Sequence, residues 1–202
     1  MAYAPYHHGD LHAALLREAR TMLREQGLEA LTLRRLAQRA GVSRSALYHH
    51  FRDKNDLLCS LAARGFERLE GLLEGADLQP DERLPSELRR FVHAYIRFAT
   101  EDPEQYDLMF GRTLWQAGQP TEELRAVAYR VFRHYARNMA ELEPLLTLPG
   151  QQSMLRLAQV SWATLHGLCR LLIDGIYPDP GSVEDISEQA VAVMLASMKI
   201  DG

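Results

Sequence analysis

The chain has 202 residues, of which 47% are apolar and 25% charged, and a formal net charge of −4 at pH 7. That is enough chain for a small head and a larger body, each with its own core, and the slightly acidic total excludes avid, unselective binding to polyanions. No apolar run approaches the roughly 18 residues of a membrane span, and the start lacks the basic-then-apolar pattern of a signal peptide, so a cytoplasmic protein is expected.

Residues 1–5 read as a lead-in. Asp10 begins or caps a first helix whose apolar positions Leu11, Leu15, Ala19, Met22 and Leu23 recur at helical spacing, and Gly27 ends it. Thr32 caps a second helix carrying Leu33, Leu36, Ala37 and Ala40 on one side. Gly41 follows with the positive φ that closes a helix, Val42 packs the turn, and Ser43 caps a third helix over residues 44–51. That helix keeps only Ala46, Leu47 and Phe51 for a core. Its other side chains, Arg44, Ser45, Tyr48, His49 and His50, are hydrogen-bonding groups crowded on a short segment. Two short helices joined by a Gly turn, the second polar on its outer side, form a helix-turn-helix. Asp53 caps a fourth helix through Leu57, Leu58, Leu61, Ala62, Leu69 and Leu72, long enough to leave the head and enter the body.

Residues 79–85 are a polar, Pro-containing break. The body beyond shows helical periodicity and no period-two alternation. Residues 86–100 carry Leu88, Phe91, Val92, Tyr95, Phe98 and Ala99, and residues 103–110 form a short helix with Pro at its first turn. Residues 111–120 are loop-like but contain Trp115. Residues 121–142 and 152–176 are long helices, the second broken by Gly175 and a Tyr-Pro-Asp-Pro-Gly turn, and Ser182 with Asp185 makes a plausible cap for a last helix to about Met198. The fold class is all-α with about nine helices, divided into a head of residues 1–56 and a body of residues 57–202.

The last two helices are apolar nearly all round. Leu155, Ala158, Trp162, Leu165, Cys169, Leu172 and Ile176 occupy one side of the penultimate helix, and Leu157, Val160, Leu168 and Leu171 another. The final helix spreads Val183, Ile186, Val191, Val193, Met194, Leu195 and Met198 over more than one stripe. Such helices need cover on two sides, most simply from a second copy of the chain.

Charge is unevenly spread. Residues 1–56 carry nine Lys/Arg against six Asp/Glu, a net of +3, with five of the eight histidines, whereas residues 57–202 carry fourteen against twenty-one, a net of −7. A mildly positive head on an acidic body suits a protein that docks one end on phosphate.

The block from Tyr6 to about Leu58 resembles the DNA-binding domain of the TetR family of bacterial transcriptional regulators. The likeness is carried by the Leu-Thr-Leu-Arg opening of the second helix, the Ala-Gly-Val-Ser turn, and Leu-Tyr-x-His-Phe followed by Lys54. It implies a homodimeric, ligand-responsive regulator, repression being the family's habit, that binds a palindromic double-stranded operator. Thr32 and Arg34 are then expected as phosphate anchors, and Arg44, Ser45 and Ala46 as base readers. Tyr48 and His49 are expected on phosphate or sugar, His49 also within reach of a base, and Lys54 on phosphate. His50 is open between a structural bond and a DNA contact, while Arg35 and Arg39 fit a solvated face. The Trp162-x-x-x-His166-Gly167 run resembles the Trp-His-Gly class of regulatory domain. Soft and aromatic side chains, Tyr95, Phe98, Tyr106, Met109, Phe110, Trp115, Tyr129, Phe132, Trp162 and His166, are the candidates for lining a small-molecule effector pocket; all except Tyr106 are kept as its candidate ligand-binding residues. Most of them individually fit an ordinary core, and His166 leans to a structural role.

Other functions are weaker. His166 and Cys169 lie three apart on one helix, but no orienting acid or oxyanion loop accompanies them, so no enzyme is expected. His7, His8 and His12 lack a fourth ligand, so neither metal nor cofactor is expected. Cys59 and Cys169 read as buried free thiols. The serious rival is an effector-independent or partner-controlled DNA-binding regulator, or an activator.

Overall fold

The computed structural model describes residues 11–145, 154–177 and 182–196. Among these there are ten α-helices and one 3-10 turn, and no strand. The helices are α1 Leu11–Ala30, α2 Leu33–Arg39, α3 Arg44–Tyr48, α4 Lys54–Glu74, α5 Leu84–Glu101, α6 Pro103–Phe110, α7 Arg112–Trp115, α8 Glu122–Ala140, α9 Met154–Ile173 and α10 Ser182–Ala196. The all-α class and the nine helices read from the sequence are present, with α7 in addition. The cap assigned to Asp10, the lead-in, the side chain of Ser182 and the position of Met198 lie outside the described residues. No described helix is long and apolar enough to cross a membrane.

The chain forms two compact units, residues 1–66 with 102–128 and residues 67–101 with 129–202. α4 and α8 each supply residues to both.

In the first unit the core is built from Leu15, Ala19 and Met22 of α1, Leu36 of α2, Leu47 of α3, Leu57 and Leu61 of α4, and Tyr106 and Met109 of α6, all essentially inaccessible. The signals that bound these helices act as local chemistry requires. Gly27 has φ 76°, outside the helical region, and kinks α1, but the helix resumes to Ala30 and does not end at Gly27 as the sequence suggested. Gly41 has φ 68° directly after α2. The Thr32 Oγ1 accepts from the Arg35 N–H at 3.3 Å, and the Ser43 Oγ from the Ala46 N–H at 3.0 Å. Asp53 Oδ1 accepts from the Asp56 N–H at 2.8 Å, capping α4. α1 and α6 are joined by a partly buried ion pair, Arg20 Nε to Asp102 Oδ2 at 2.6 Å, and Gln105 Nε2 of α6 donates to the Leu61 carbonyl of α4 at 3.0 Å.

Two other elements differ from the sequence expectation. The third helix was expected to reach Phe51 but stops at Tyr48. The His50 and Phe51 N–H groups both turn back to the Leu47 carbonyl, at 2.9 and 3.0 Å, which lets Phe51 swing into the core at 1% exposure. Residues 111–120 are not wholly loop, because Arg112–Trp115 forms α7. Leu114 is fully buried and the Trp115 indole N–H donates to the Met109 carbonyl at 2.7 Å. One turn fixed by tertiary anchors is too short to show a period.

The second unit packs α5 against α9 and α10. Phe91, Tyr95 and Ile96 of α5, Val131 and Tyr135 of α8, Leu165 and Cys169 of α9 and Val191 of α10 are buried. The Tyr135 hydroxyl donates to Ser161 Oγ at 2.8 Å, and its ring stacks on Phe91 and meets Trp162 edge-on. Burial pushes the Tyr135 phenol up to about 12, only partly offset by Ser161, so it stays protonated. Glu188 of α10 accepts from Arg89 and His93 of α5, each at 2.9 Å.

Leu47 is the only fully buried side chain of α3. Leu47→Ala is expected to cost about 2–4 kcal/mol of stability, read by denaturant unfolding of the full chain; a loss below about 1 kcal/mol would mean that α3 is held by something else.

Candidate nucleic-acid interface and regulatory core

A five-residue helix with capped ends and one buried leucine leaves its other face outward. Arg44, Ser45, Tyr48 and His49 are exposed and Ala46 is half-buried. Arg34, at the start of α2, is exposed beside the half-buried Thr32. The side chains of Arg34, Arg44, Ser45, Tyr48 and His49 have no hydrogen-bonding or ionic partner among the described residues. Tyr48, at 56% exposure, is a large ring left to solvent on a helix whose opposite side is core. The sequence-assigned contacts thus share the outer side of α2 and α3, apart from Lys54. That residue opens α4, half-buried, and its ammonium donates to the Leu28 carbonyl at 3.0 Å.

Arg35 and Arg39 are exposed as expected but not idle. Arg35 donates to the Ala30 carbonyl at 3.0 Å and to Gln26, and Arg39 pairs with Glu18 and with Glu25, the latter at 2.7 Å. Both arginines therefore hold α2 to α1, a role that the sequence pattern did not reveal. Arg52, also passed over, has its backbone N–H bonded to Asp56 Oδ2 at 3.0 Å. Burial pushes the Asp56 carboxyl up, but the hydrogen bonds from Arg52 outweigh this and hold it below the usual range.

His50 does not point outward like its neighbours. Its ring lies 5.8 Å from that of His12 on α1, and His12 lies 5.1 Å from the Phe51 ring. Burial, then the neighbouring His50 and Arg64, push the His12 pKa down, against weaker opposition from Glu123 and Asp56.

The nine side chains proposed for the effector site divide between the two units. Met109, Phe110 and Trp115 belong to the first: Met109 is fully buried, Phe110 meets Phe66 edge-on at 5.1 Å, and Trp115 is 37% exposed. The other six belong to the second. Phe132 and Trp162 are brought together at 5.4 Å, beside Tyr135, which the sequence reading left out. Tyr95 is buried near Phe91, Phe98 lies under the Arg68 guanidinium, and Tyr129 is 62% exposed under Arg133. His166 is half-buried, its pKa pushed down by burial and by Arg170. Among the described residues no group of three or more His, Cys, Asp or Glu is placed to hold a metal ion. Cys59 and Cys169 are buried and belong to no disulfide.

α9 and α10 bury little of their apolar surface. Leu155, Val160 and Leu171 of α9 and Val193 of α10, with Ile176 and Tyr177 just after α9, remain between 37% and 64% exposed. An open groove of about 480 Å3 runs between the two helices, floored by Leu168, Leu171, Ile186 and Met194. A Cβ added at Gly167 would meet nothing within 4 Å.

Residues 15–61 match the family model for bacterial regulatory proteins of the tetR family, and residues 88–194 match that for the tetracyclin repressor-like C-terminal domain. The chain belongs to the TetR family of bacterial regulatory proteins, which places it among transcriptional regulators and not enzymes. It is 35% identical over 95 residues to the transcriptional repressor AcnR of Corynebacterium glutamicum, covering 47% of this chain and 43% of that protein. It is 51% identical over 49 residues to the class C tetracycline repressor protein of Escherichia coli, covering 24% and 22%. The chain thus spans less than half the length of these curated relatives. A solved structure from Rhodococcus sp. RHA1, described as of unknown function, superposes with a TM-score of 0.81 at 30% identity, covering 98% of this chain and all of that one.

The His12 shift fixes the sign of a pH effect. An unfolded chain takes up this proton near the ordinary value of 6.5, the folded chain only at lower pH. The associated stability is complete above 6.5 and is lost as pH falls from there through the folded value. His12→Phe is expected to flatten that part of the acid-side decline in unfolding free energy; an unchanged slope would show that His12 is not perturbed.

Proposed function

We propose that this chain is a homodimeric, DNA-binding transcriptional repressor that reads a palindromic operator through α3 and is released by a small, largely apolar effector bound in its body. The observation that carries the DNA-binding part is the two-sided character of α3: Leu47 inaccessible, and Arg44, Ser45, Tyr48 and His49 exposed and unengaged. Arg44 is assigned a bidentate contact with guanine and Ala46 a thymine methyl, with Ser45 on a base edge. Thr32, Arg34, Tyr48 and Lys54 are assigned to phosphate or sugar, and His49 to the backbone or a base edge. The packing of His50 on His12 favours its structural role. Residues 1–56 are read as the DNA-binding part and 57–202 as the regulatory and dimerisation part.

Dimerisation through α9 and α10 is supported by their exposed apolar residues, the groove between them and the open space at Gly167, which fits a helix from a second copy. Two α3 helices related by a twofold axis would read half-sites about one DNA turn apart, roughly 34–36 Å, or a multiple of it. The effector is assigned to the aromatic group of the second unit, with Trp162 and His166 as in the Trp-His-Gly class and Tyr95, Phe98, Tyr129 and Phe132 around them. Met109, Phe110 and Trp115 complete the set of candidates. One observation favours the rival, effector-independent reading: Phe91, Tyr135, Trp162 and Phe132 pack ring on ring, as in an ordinary core. Repression and cytoplasmic location follow the character of the family.

Val193→Glu is expected to give a monomer in sedimentation that no longer holds a palindromic duplex; an intact dimer would overturn the interface. Arg44→Ala, assayed on duplexes varied one base pair at a time, is expected to lose about 1–3 kcal/mol of discrimination at one position per half-site. A uniform loss across all sequences would instead make Arg44 a phosphate contact.

A further inference from the structure

The first turn of α4 carries Lys54, and the residue after it is bound in an unusual way. Asn55 Nδ2 donates to the Gln119 carbonyl at 2.8 Å, and the Gln119 N–H donates back to Asn55 Oδ1 at 3.4 Å. One carboxamide thus satisfies both backbone groups of a residue 64 positions away. The approach is close enough to dictate the neighbouring residue. A Cβ at Gly118 would lie 2.6 Å from the Thr113 carbonyl oxygen and 3.0 Å from Asn55 Oδ1. The first of these is backbone and cannot rotate away.

The turn that receives Asn55 is itself fixed. The Gln116 and Ala117 N–H groups both close on the Arg112 carbonyl, at 3.0 and 2.9 Å, and α7 is seated by buried Leu114 and by the Trp115 bond to Met109. On the other side of the same α4 turn, Asp53 caps the helix and Lys54 reaches the Leu28 carbonyl. An ammonium has three donors, so the Leu28 bond orients it and leaves two for an anion.

We propose that Asn55 is a positioning residue for DNA binding: clamped to the Gly118–Gln119 turn, it sets the first turn of α4 and so the place from which Lys54 meets a phosphate. Asn55 is assigned no DNA contact of its own, since its Nδ2 donates to the Gln119 carbonyl and to Cys59 Sγ and its Oδ1 accepts from the Gln119 N–H. The cap at Asp53 keeps the turn helical, while the clamp fixes where that turn lies. A displacement of the turn before α8 is thereby delivered to the residue beside Lys54. The inference rests on the assignment of Lys54 to phosphate made above.

The test is the salt dependence of affinity of the full-length protein for a duplex enriched from random DNA. Each phosphate contact contributes a slope of about 0.9 in log affinity against log salt, so Lys54→Met is expected to lower the slope by roughly 1.8 for a dimer. Asn55→Ala and, independently, Gly118→Ala are expected to lower it in the same direction and to weaken binding about tenfold at moderate salt. Adding Asn55→Ala to Lys54→Met is expected to cost little more, because both act through one contact. Gly118→Ala changes no residue of α4, and the near-isosteric Asn55→Leu removes the carboxamide bonds without adding a charge beside Lys54, so these two stand in if Asn55→Ala does not fold. A changed slope in Lys54→Met with unchanged slopes in the Asn55 and Gly118 variants would overturn the clamp alone. Fully additive losses in the double variant would do the same. An unchanged slope in Lys54→Met would overturn the phosphate assignment and the clamp with it.

Discussion

A helix of five residues has no stability of its own, since nucleating it costs more than its few hydrogen bonds return. α3 exists because Ser43 caps it, because Leu47 is buried beneath it, and because Phe51 leaves the helix early to enter the same core. Everything proposed for DNA recognition depends on that anchoring. Side chains read base edges only if the backbone beneath them is fixed, and the contact geometry demands about ångström precision. The surrounding contacts serve the same end. Arg35 and Arg39 tie α2 to α1, His12 closes over Phe51, and Asp53 begins α4 where the turn after α3 stops.

The second unit has the opposite problem, an excess of apolar surface. Its interior is filled by Phe91, Tyr95, Tyr135 and Leu165, yet α9 and α10 keep Leu155, Val160, Leu171 and Val193 in water. Exposed side chains of this size on two adjacent helices are costly in an isolated subunit and ordinary in an obligate interface. The same packing bears on the effector. An aromatic group can be a binding surface only if it gives up some of its stacking to a ligand, and Phe132 with Trp162 is one pair that the fold brings together within the proposed set.

Local chemistry was the legible part of the sequence. Thr32, Ser43 and Asp53 announced helix starts, Gly41 announced an end and Gly27 a kink in place of the expected end, and the apolar spacing of α1, α4, α5 and α8 placed the core; each of these signals lies within a few residues of its effect. What could not be read depends on residues far apart in the chain. The early end of α3 follows from where Phe51 finds a core, and α7 from where Trp115 finds the Met109 carbonyl. The Arg20–Asp102 pair and the Asn55 clamp join positions 82 and 64 residues apart. Nor did periodicity show that Met109, Phe110 and Trp115 fall in a different compact unit from Tyr95, Phe98, Tyr129, Phe132, Trp162 and His166.

The most direct test of the central claim is selection of bound sequences from a random pool of double-stranded DNA by the purified full-length protein at moderate salt. The expected result is enrichment of a palindrome whose half-sites are separated by about one helical turn or a multiple of it, as two α3 helices on a twofold axis require. A single, non-repeated motif, or no enrichment at all, would contradict it.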